Sequence, residues 1–253
     1  MGWLEENKVE KEVKDIKSLF VPLQDSAKKR GLKVGVYGKP SSGKTHFALD
    51  FPEPVYILDT ESGSQPLAKN FKDKKIFRID VFEKGKNGEK DEVDCFEMIK
   101  QAVDWITENV KEGTVVIDSG TDLWKFAQTY GKVKIFNLSP EARLKQRFDW
   151  GKINNLYEQI LSILIHSDLN LVITGKITNK YDTTGGETSE TTSRWQKDTE
   201  YQLDVIIQMS QQKIKDVISF NGIIEKCRVD GKLMEEKVEN LNYETLNKKL
   251  RGE

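Results

Sequence analysis

The sequence predicts an α/β protein in which a mostly parallel, twisted sheet is flanked by helices and continued by antiparallel strands at one edge. Short apolar runs alternate with helical patterns through the first two-thirds of the 253 residues. This alternation is typical of parallel strands joined by helices that cover both faces of the sheet. The last strands follow one another without intervening helices, and this order predicts the antiparallel edge.

Hydrophobic periodicity gives the elements in order. Residues 4–19 have the pattern of a charged, moderately amphipathic helix, which forms with a linker the predicted N-terminal segment, residues 1–30. The core is predicted over residues 31–230, with strands at 32–37, 55–58, 76–81, 114–117 and 169–174 and helices at 45–49, 96–110 and 153–165. Three further strands, at 203–209, 214–220 and 222–228, are predicted to form a closing meander.

Two segments have compositions that predict irregular structure. Residues 181–200 are rich in Thr, Gly, Glu and Ser, and they are predicted to form a mobile loop. Residues 231–253 are predicted to be a polar C-terminal tail. The expected organisation is therefore one core domain between two polar terminal segments.

Composition argues against several classes of protein. The chain has 40 basic and 41 acidic side chains, so its net charge of -1 gives no general attraction to nucleic acid, and DNA binding would need a local basic patch. The two cysteines, Cys95 and Cys227, lack the spacing of a zinc site and favour reduced thiols over a disulfide framework. No apolar run approaches the roughly 20 residues of a membrane span, and the charged N-terminus lacks a signal-peptide core. We therefore expect a cytoplasmic protein without membrane contacts.

An eight-residue segment after the first strand matches the phosphate-binding pattern G-x-x-x-x-G-K-[ST]. The glycines allow backbone N–H groups to surround the phosphates, Lys44 places its charge on the β- and γ-phosphates, and Thr45 offers a hydroxyl to Mg²⁺. An apolar strand before the pattern and a helix after it are the context that the pattern requires. We therefore assign nucleotide binding to Gly38, Lys39, Pro40, Ser41, Ser42, Gly43, Lys44, Thr45 and His46.

Acidic residues follow two of the predicted strands. Asp118 ends the strand at 114–117, where a carboxylate beside the phosphate loop would orient Mg²⁺; the alternative is an ordinary helix N-cap. Asp59 and Glu61 follow the strand at 55–58, and a carboxylate there could take a proton from the water that attacks the γ-phosphate. The alternative for this second cluster is a loop acid without a chemical role.

Together these motifs resemble those of the RecA-like P-loop ATPases. Residues 41–45 (Ser-Ser-Gly-Lys-Thr) are similar to the family's phosphate loop, and residues 57–61 (Ile-Leu-Asp-Thr-Glu) to its strand-end acidic motif. Residues 115–119 (Val-Val-Ile-Asp-Ser) resemble its Walker B strand. The resemblance implies ATP as the nucleotide, Mg²⁺ as the cofactor, Glu61 as the catalytic base and Lys44 as a catalytic cation.

Two later features match the same family less closely. A polar γ-phosphate sensor is expected after the strand at 169–174, where Lys176 departs from the usual Gln or His. Lys226 and Arg228 resemble the Lys-x-Arg motif of replicative helicases, which implies that both cations reach a neighbouring subunit's γ-phosphate. The alternative is a pair of solvent-facing residues on one face of a strand. A trans-acting pair would make hydrolysis depend on a homo-oligomer, either a ring or a short filament.

Loops after the later core strands of this family line a channel and contact DNA. The corresponding stretches are residues 125–150, which interleave cations with aromatic residues, and residues 177–197. For residues 125–150, aromatic residues packed in the core and solvated cations are an equal alternative. In the second stretch, cations suit the phosphates of single-stranded DNA and an aromatic ring suits its bases, and the candidates are Lys180, Arg194, Trp195 and Lys197.

The resemblance is strongest to phage and archaeal single-domain RecA-like ATPases, with KaiC-like ATPases as near relatives. It implies a Mg²⁺-dependent ATPase that acts in single-stranded DNA recombination, annealing or repair. Two other functions stay open, namely a P-loop kinase for a small molecule and a nucleotide-gated scaffold that does not bind DNA. A kinase would need an arginine-rich lid, and residues 181–200 contain only Arg194.

Overall fold

A computed structural model describes residues 20, 22–24, 30–82, 84–85, 90–144, 146–181, 186–214 and 217–253. The chain divides into two units, residues 1–30 and residues 31–253. The helix predicted over residues 4–19 lies outside the described residues. All of the helices and strands given below belong to the second unit.

The second unit alternates strands and helices in the predicted order. Its first part consists of β1 (Lys33–Gly38), α1 (Lys44–Leu49), β2 (Val55–Asp59), β3 (Ile76–Asp80), α2 (Glu92–Asn109), β4 (Thr114–Asp118), α3 (Gly120–Tyr130), α4 (Arg147–His166) and β5 (Asn170–Tyr181). Its closing part consists of β6 (Glu187–Ser193), α5 (Thr199–Gln202), β7 (Val205–Ile214), β8 (Val217–Cys227), β9 (Lys237–Val238) and α6 (Tyr243–Arg251). A 3₁₀ helix follows β2 at Gln65–Asn70, and a π-helical segment continues α3 at Gly131–Ile135.

The described strands form one sheet in the order β3-β2-β4-β5-β1-β7-β8-β9, with β6 paired to the outer part of β5. The pairs from β3 across to β7 are parallel, whereas β8, β9 and β6 pair antiparallel with their neighbours. The predicted fold class is confirmed. Because β1 lies beside β5, and β4 lies between β5 and β2, the carboxyl ends of these four strands meet at one edge of the sheet.

Helices cover both faces of this sheet. On one face, Phe96 and Ile99 of α2, Phe126 of α3 and Leu161 of α4 are fully or almost fully buried against the strands. On the other face, α1 and α6 pack on the sheet, and Phe47 belongs to that core. Burial of apolar surface on both faces supplies the main stabilisation of such a sheet. No helix among the described residues is long and apolar enough to cross a membrane.

The closing part of the chain is more regular than its composition predicts. Residues 187–193 of the predicted mobile loop form β6, which pairs with β5 from Ile177 outward. The strands predicted at 214–220 and 222–228 are a single strand, β8. Gly222 lies within this strand and does not break it. A Cβ at this position would lie 2.6 Å from Ile207 and 2.8 Å from Leu241. The glycine therefore marks close packing rather than a turn.

The prediction of a polar tail over residues 231–253 is wrong. β9 extends the sheet beside β8, and α6 begins with a capping box in which Asn242 and Thr245 bond each other's backbone. Leu246 is fully buried in the core beside α1, and the backbone N–H of Tyr243 donates to Asp50 at 2.9 Å. The few apolar residues of this segment are spaced so that they face inward. Because the other residues are polar, the overall composition does not indicate that the segment packs on the core.

Candidate active site

The predicted phosphate loop joins β1 to α1 at the edge where the strand ends meet, and its path requires glycine at two positions. Gly43 has a φ of 89°, in the left-handed region, and a Cβ there would lie 2.5 Å from the ring of Phe220. A Cβ at Gly38 would lie 2.3 Å from the carbonyl oxygen of Met209. The loop is therefore wrapped tightly against β7 and β8.

Lys44 and Ser42 are the side chains of this loop that suit a phosphate group. The Lys44 Nζ donates to the carbonyl oxygens of Lys39 and Gly38 at 2.9 and 3.2 Å. Burial lowers the pKa of Lys44, although the charges of Asp118 and Glu61 act in the opposite direction. The buried Ser42 Oγ has no hydrogen-bond partner among the described residues. A phosphate oxygen would satisfy this hydroxyl and the lysine together.

Asp118 lies at the end of β4 and joins three elements. The Thr45 hydroxyl of α1 donates to its Oδ2 at 2.7 Å, and the Thr174 hydroxyl of β5 donates a short bond to its Oδ1. Only 4 % of Asp118 is exposed, and this burial raises the pKa of its carboxyl, although both threonine bonds act in the opposite direction. The peptide bond from Asp118 to Ser119 is cis. Carboxylate and hydroxyl oxygens are ligands that Mg²⁺ accepts, so Thr45 and Asp118 fit a magnesium ion that also binds phosphate.

Glu61 follows β2 on the exposed side of the same edge. Its Oε1 accepts from the Ser119 hydroxyl at 3.2 Å and lies 2.8 Å from the Lys176 Nζ. Its side chain is 40 % exposed, so water has access to the carboxylate. The structure thus brings the predicted base, the predicted cation ligand and the phosphate loop to one edge of the sheet.

A cleft lies beside the start of α1. Its volume is about 530 Å³. The His46 ring forms part of its wall, with ring centroids 5.9 Å from Phe220 and 4.9 Å from Phe71. Burial lowers the pKa of His46, which favours the neutral ring. The cleft is lined by Ser41, Gly43, Lys44, Thr45, His46, Gly63, Leu67, Asn70 and Phe220.

Comparisons with known proteins identify the family of the chain. A family model described as an AAA domain matches residues 30–234. The chain belongs to this AAA domain family. Among solved structures, a KaiC-like protein from the hyperthermophilic archaeon Pyrococcus horikoshii gives a TM-score of 0.48 at 17% sequence identity, with 83% of this chain and 85% of that chain covered. A search of curated proteins gave no match.

Lys226 and Arg228 lie away from the phosphate loop of their own AAA domain. Gly38 pairs with Met209 of β7, and Met209 pairs with Gly222 of β8. Lys226 of β8 pairs instead with Ile206, near the start of β7. Gly222 and Lys226 are four positions apart on β8, which corresponds to about 13 Å along the strand. The Lys226 Nζ donates to the carbonyl oxygen of Leu203 at 2.8 Å, and Arg228 donates to that of Tyr201. The two cations share one face, at the end of α5.

The β5–β6 hairpin carries the predicted DNA-binding residues in different environments. Arg194 and Lys197 are exposed, and the Lys180 Nζ forms an ion pair with Glu190 at 3.1 Å on the opposite strand. Trp195 is only 6 % exposed, because its ring packs against the backbone at Gly35 and Gly175. The expectation that Trp195 stacks on bases is therefore wrong. The glycines of two neighbouring strands make room for the ring, a relation that the local composition does not reveal.

Several residues of the site were missed by the motif search. Thr174 lies within β5, directly after Ile173, which pairs with Ile117 of β4. The predicted parallel alignment of these strands is the signal that could have indicated it. Phe220 packs on the phosphate loop from a distant strand, and no local pattern points to it. Asp59 ends β2 two residues before Glu61, but it has a structural role that Glu61 does not share.

Asp59 is a fully buried carboxylate that holds the loop carrying Glu61. Its oxygens accept from the backbone N–H groups of Glu61, Gly63 and Ser64 at 3.0–3.2 Å and from the Arg78 Nε at 2.9 Å. Burial alone would raise the pKa of Asp59, but hydrogen bonds from Ser64 and Arg78 hold it below its ordinary value. The ionised form is therefore the one that the fold stabilises.

We predict that Asp59→Asn destabilises the protein at pH 7 by about 1–3 kcal/mol, because the amide keeps only one acceptor oxygen and its NH2 group meets donors that the second carboxylate oxygen accepts from. A lowered carboxyl pKa stabilises the fold above the unfolded value of about 4, and this stabilisation is lost as the pH falls through the folded value. The deficit should therefore shrink below about pH 4. Urea unfolding from pH 3 to 7 measures it, with the exposed Asp104→Asn as the control. A deficit that is the same at every pH would contradict this account.

Proposed function

We propose that this AAA domain is a Mg²⁺-dependent ATP hydrolase. The proposal rests on one observation, namely that Thr45, Asp118 and Glu61 lie at the same edge of the sheet, beside the phosphate loop. A loop of this kind alone supports only phosphate binding. A buried carboxylate bonded to the loop threonine, with a second, solvent-accessible carboxylate nearby, adds the two groups that hydrolysis requires.

Each residue has a distinct task in this proposal. The loop N–H groups, Ser42 and Lys44 bind the β- and γ-phosphates and neutralise their charge. Thr45 and Asp118 would hold Mg²⁺, which would offset the negative charge of the phosphates. Glu61 accepts a proton from the attacking water, for which its exposed carboxylate is suited. The cleft lined by His46 and Phe220 is proposed to hold the adenine.

We further propose that the active unit is a homo-oligomer, in a ring or short filament, in which Lys226 and Arg228 reach the γ-phosphate of a neighbouring subunit. The separation of about 13 Å along the strand supports action in trans, since neither side chain can reach its own phosphate loop. Two cations supplied by a neighbour would stabilise the charge of the transition state and make hydrolysis depend on assembly.

Single-stranded DNA is the proposed partner, in recombination, annealing or repair. The exposed cations Arg194 and Lys197 follow the β5–β6 hairpin, and Lys180 lies on its first strand. The hairpin continues β5 beyond Lys176, which lies beside Gly38 of the phosphate loop, so a ligand on the hairpin lies close to the proposed site of hydrolysis. Phe148 at the start of α4 is 76 % exposed and offers an aromatic surface of the kind on which bases stack.

The first prediction concerns chemistry. Lys44→Ala should lose ATP binding and hydrolysis, because the loop loses its phosphate charge. Glu61→Gln should lower kcat by about 10²-fold or more while ATP still binds, because only proton transfer is removed. Phosphate release without an added acceptor measures turnover, and fluorescent nucleotide titration measures binding. Normal turnover in Glu61→Gln would remove Glu61 as the base, and turnover only with an added acceptor would indicate a kinase.

A mixing experiment tests the contribution of the neighbour. Lys44→Ala subunits and Lys226→Ala/Arg228→Ala subunits should each be inactive alone. Mixed one to one, they should recover about a quarter of wild-type activity, because a quarter of interfaces pair an intact phosphate loop with intact cations. No recovery, in a mixture shown by mass to co-assemble, would place the two cations outside the neighbour's site.

Binding of DNA is tested by salt dependence. We expect Arg194→Ala/Lys197→Ala to weaken binding of a labelled oligo-dT and to reduce the slope of log K against log[salt] by about 1.4, or 0.7 for each lost phosphate contact. Fluorescence anisotropy at several salt concentrations measures both quantities. The control is Lys111→Ala, an exposed cation just before β4 and away from the hairpin. An unchanged slope would remove these two residues from the proposed interface, and no binding at low salt would remove the DNA partner.

A further inference from the structure

Lys176 occupies the position on β5 that faces Gly38, the first residue of the phosphate loop. Its Nζ lies 2.8 Å from Oε1 of Glu61 and 3.0 Å from Oδ1 of Asp122. The side chain is thus engaged by two carboxylates, one of which is the proposed catalytic base. Its contacts differ from those expected of a γ-phosphate sensor, which would be aimed at the nucleotide.

The position of Lys176 is fixed by its surroundings. Its backbone N–H donates to the Thr121 hydroxyl at 3.0 Å, and its partner Asp122 accepts from the Thr60 hydroxyl at 2.8 Å. Burial alone would lower the pKa of Lys176, but hydrogen bonds to Glu61 and Asp122 raise it above its ordinary value. The cation is therefore retained at neutral pH and held between the ends of β2 and β4.

This contact opposes the function of a general base. Oε1 of Glu61 receives both the Lys176 ammonium at 2.8 Å and the Ser119 hydroxyl at 3.2 Å. A carboxylate oxygen has about two lone-pair acceptor sites, and these two donors fill them. The same oxygen is also less available to a water molecule. While the ion pair exists, the attacking water competes with two donors for Oε1 of Glu61.

Lys176 is also the residue at which the core strand becomes the β5–β6 hairpin. The Arg194 N–H donates to the Lys176 carbonyl oxygen at 2.7 Å, and Ile177 pairs with Ser193 at the base of the hairpin. The preceding Gly175 lies under the ring of Trp195. A displacement of the hairpin therefore moves the backbone of Lys176 and changes the distance from its Nζ to Glu61.

We propose that Lys176 is an inhibitory positioning residue, which holds Glu61 in an ion pair and restrains hydrolysis until a ligand on the β5–β6 hairpin shifts it. This inference rests on the proposed role of Glu61 as the base. It assigns a regulatory function to a position where the sequence departs from the RecA-like pattern.

The test is steady-state hydrolysis of ATP by full-length Lys176→Met and Lys176→Gln without DNA. Both should raise kcat by about two- to fivefold, which is the change expected from the loss of one half-exposed ion pair. The KM for ATP should stay unchanged within about twofold. Lys176→Arg should keep the wild-type rate, because it retains the ion pair. Lys176→Met/Glu61→Gln should be as inactive as Glu61→Gln, since the gain acts through Glu61.

The matched control is Lys100→Met, which removes an ion pair to Glu97 at 3.5 Å with closely similar exposure, on α2. Its kcat should equal that of the wild type. An unchanged or reduced kcat in both Lys176→Met and Lys176→Gln, with native circular dichroism and an inactive Glu61→Gln, would overturn the inference and leave the proposed function in place. Normal hydrolysis by Glu61→Gln would instead overturn the proposed function, and the inference with it.

Discussion

The hydrogen bond from Thr45 to Asp118 joins the first turn of the phosphate-loop helix to the end of β4. Asp118 has almost no contact with solvent, and a buried carboxylate is costly unless its oxygens are satisfied. Thr45 and Thr174 supply those bonds from the two elements on either side, so α1, β4 and β5 are held in one relative position. The alignment of the phosphate loop with the acidic edge of the sheet depends on this small polar centre.

Two buried acids at this edge have carboxyl pKa values that are shifted in opposite directions. Asp59 accepts several bonds and is stabilised as an anion, which suits the anchor of a loop. Asp118 has fewer donors, and burial raises the pKa of its carboxyl. A bound divalent cation would reverse that penalty, since a nearby positive charge favours the ionised form. The difference explains why two acids in register on neighbouring strands serve different purposes, one structural and one proposed to bind a cation.

Much of the core could be predicted from the sequence, because its signals are local. The strand before the phosphate loop, the loop itself and Asp118 each lie in short contiguous patterns. What failed depends on tertiary packing: Trp195 is covered because Gly35 and Gly175 leave room for it, and the tail folds because its apolar residues meet the core. The ion pair between Glu61 and Lys176 could not be predicted either. Glu61 follows β2 and Lys176 lies on β5, and these strands are not neighbours in the sheet.

The central claim is that Thr45 and Asp118 form one cation site that is completed by a nucleotide. Electron paramagnetic resonance of Mn²⁺, added in place of Mg²⁺ with and without ADP, tests it most directly. The account predicts one tightly bound Mn²⁺ per chain only in the presence of ADP, with that site lost in Thr45→Val and in Asp118→Asn. Mn²⁺ binding that is independent of ADP, or that survives both substitutions, would contradict it.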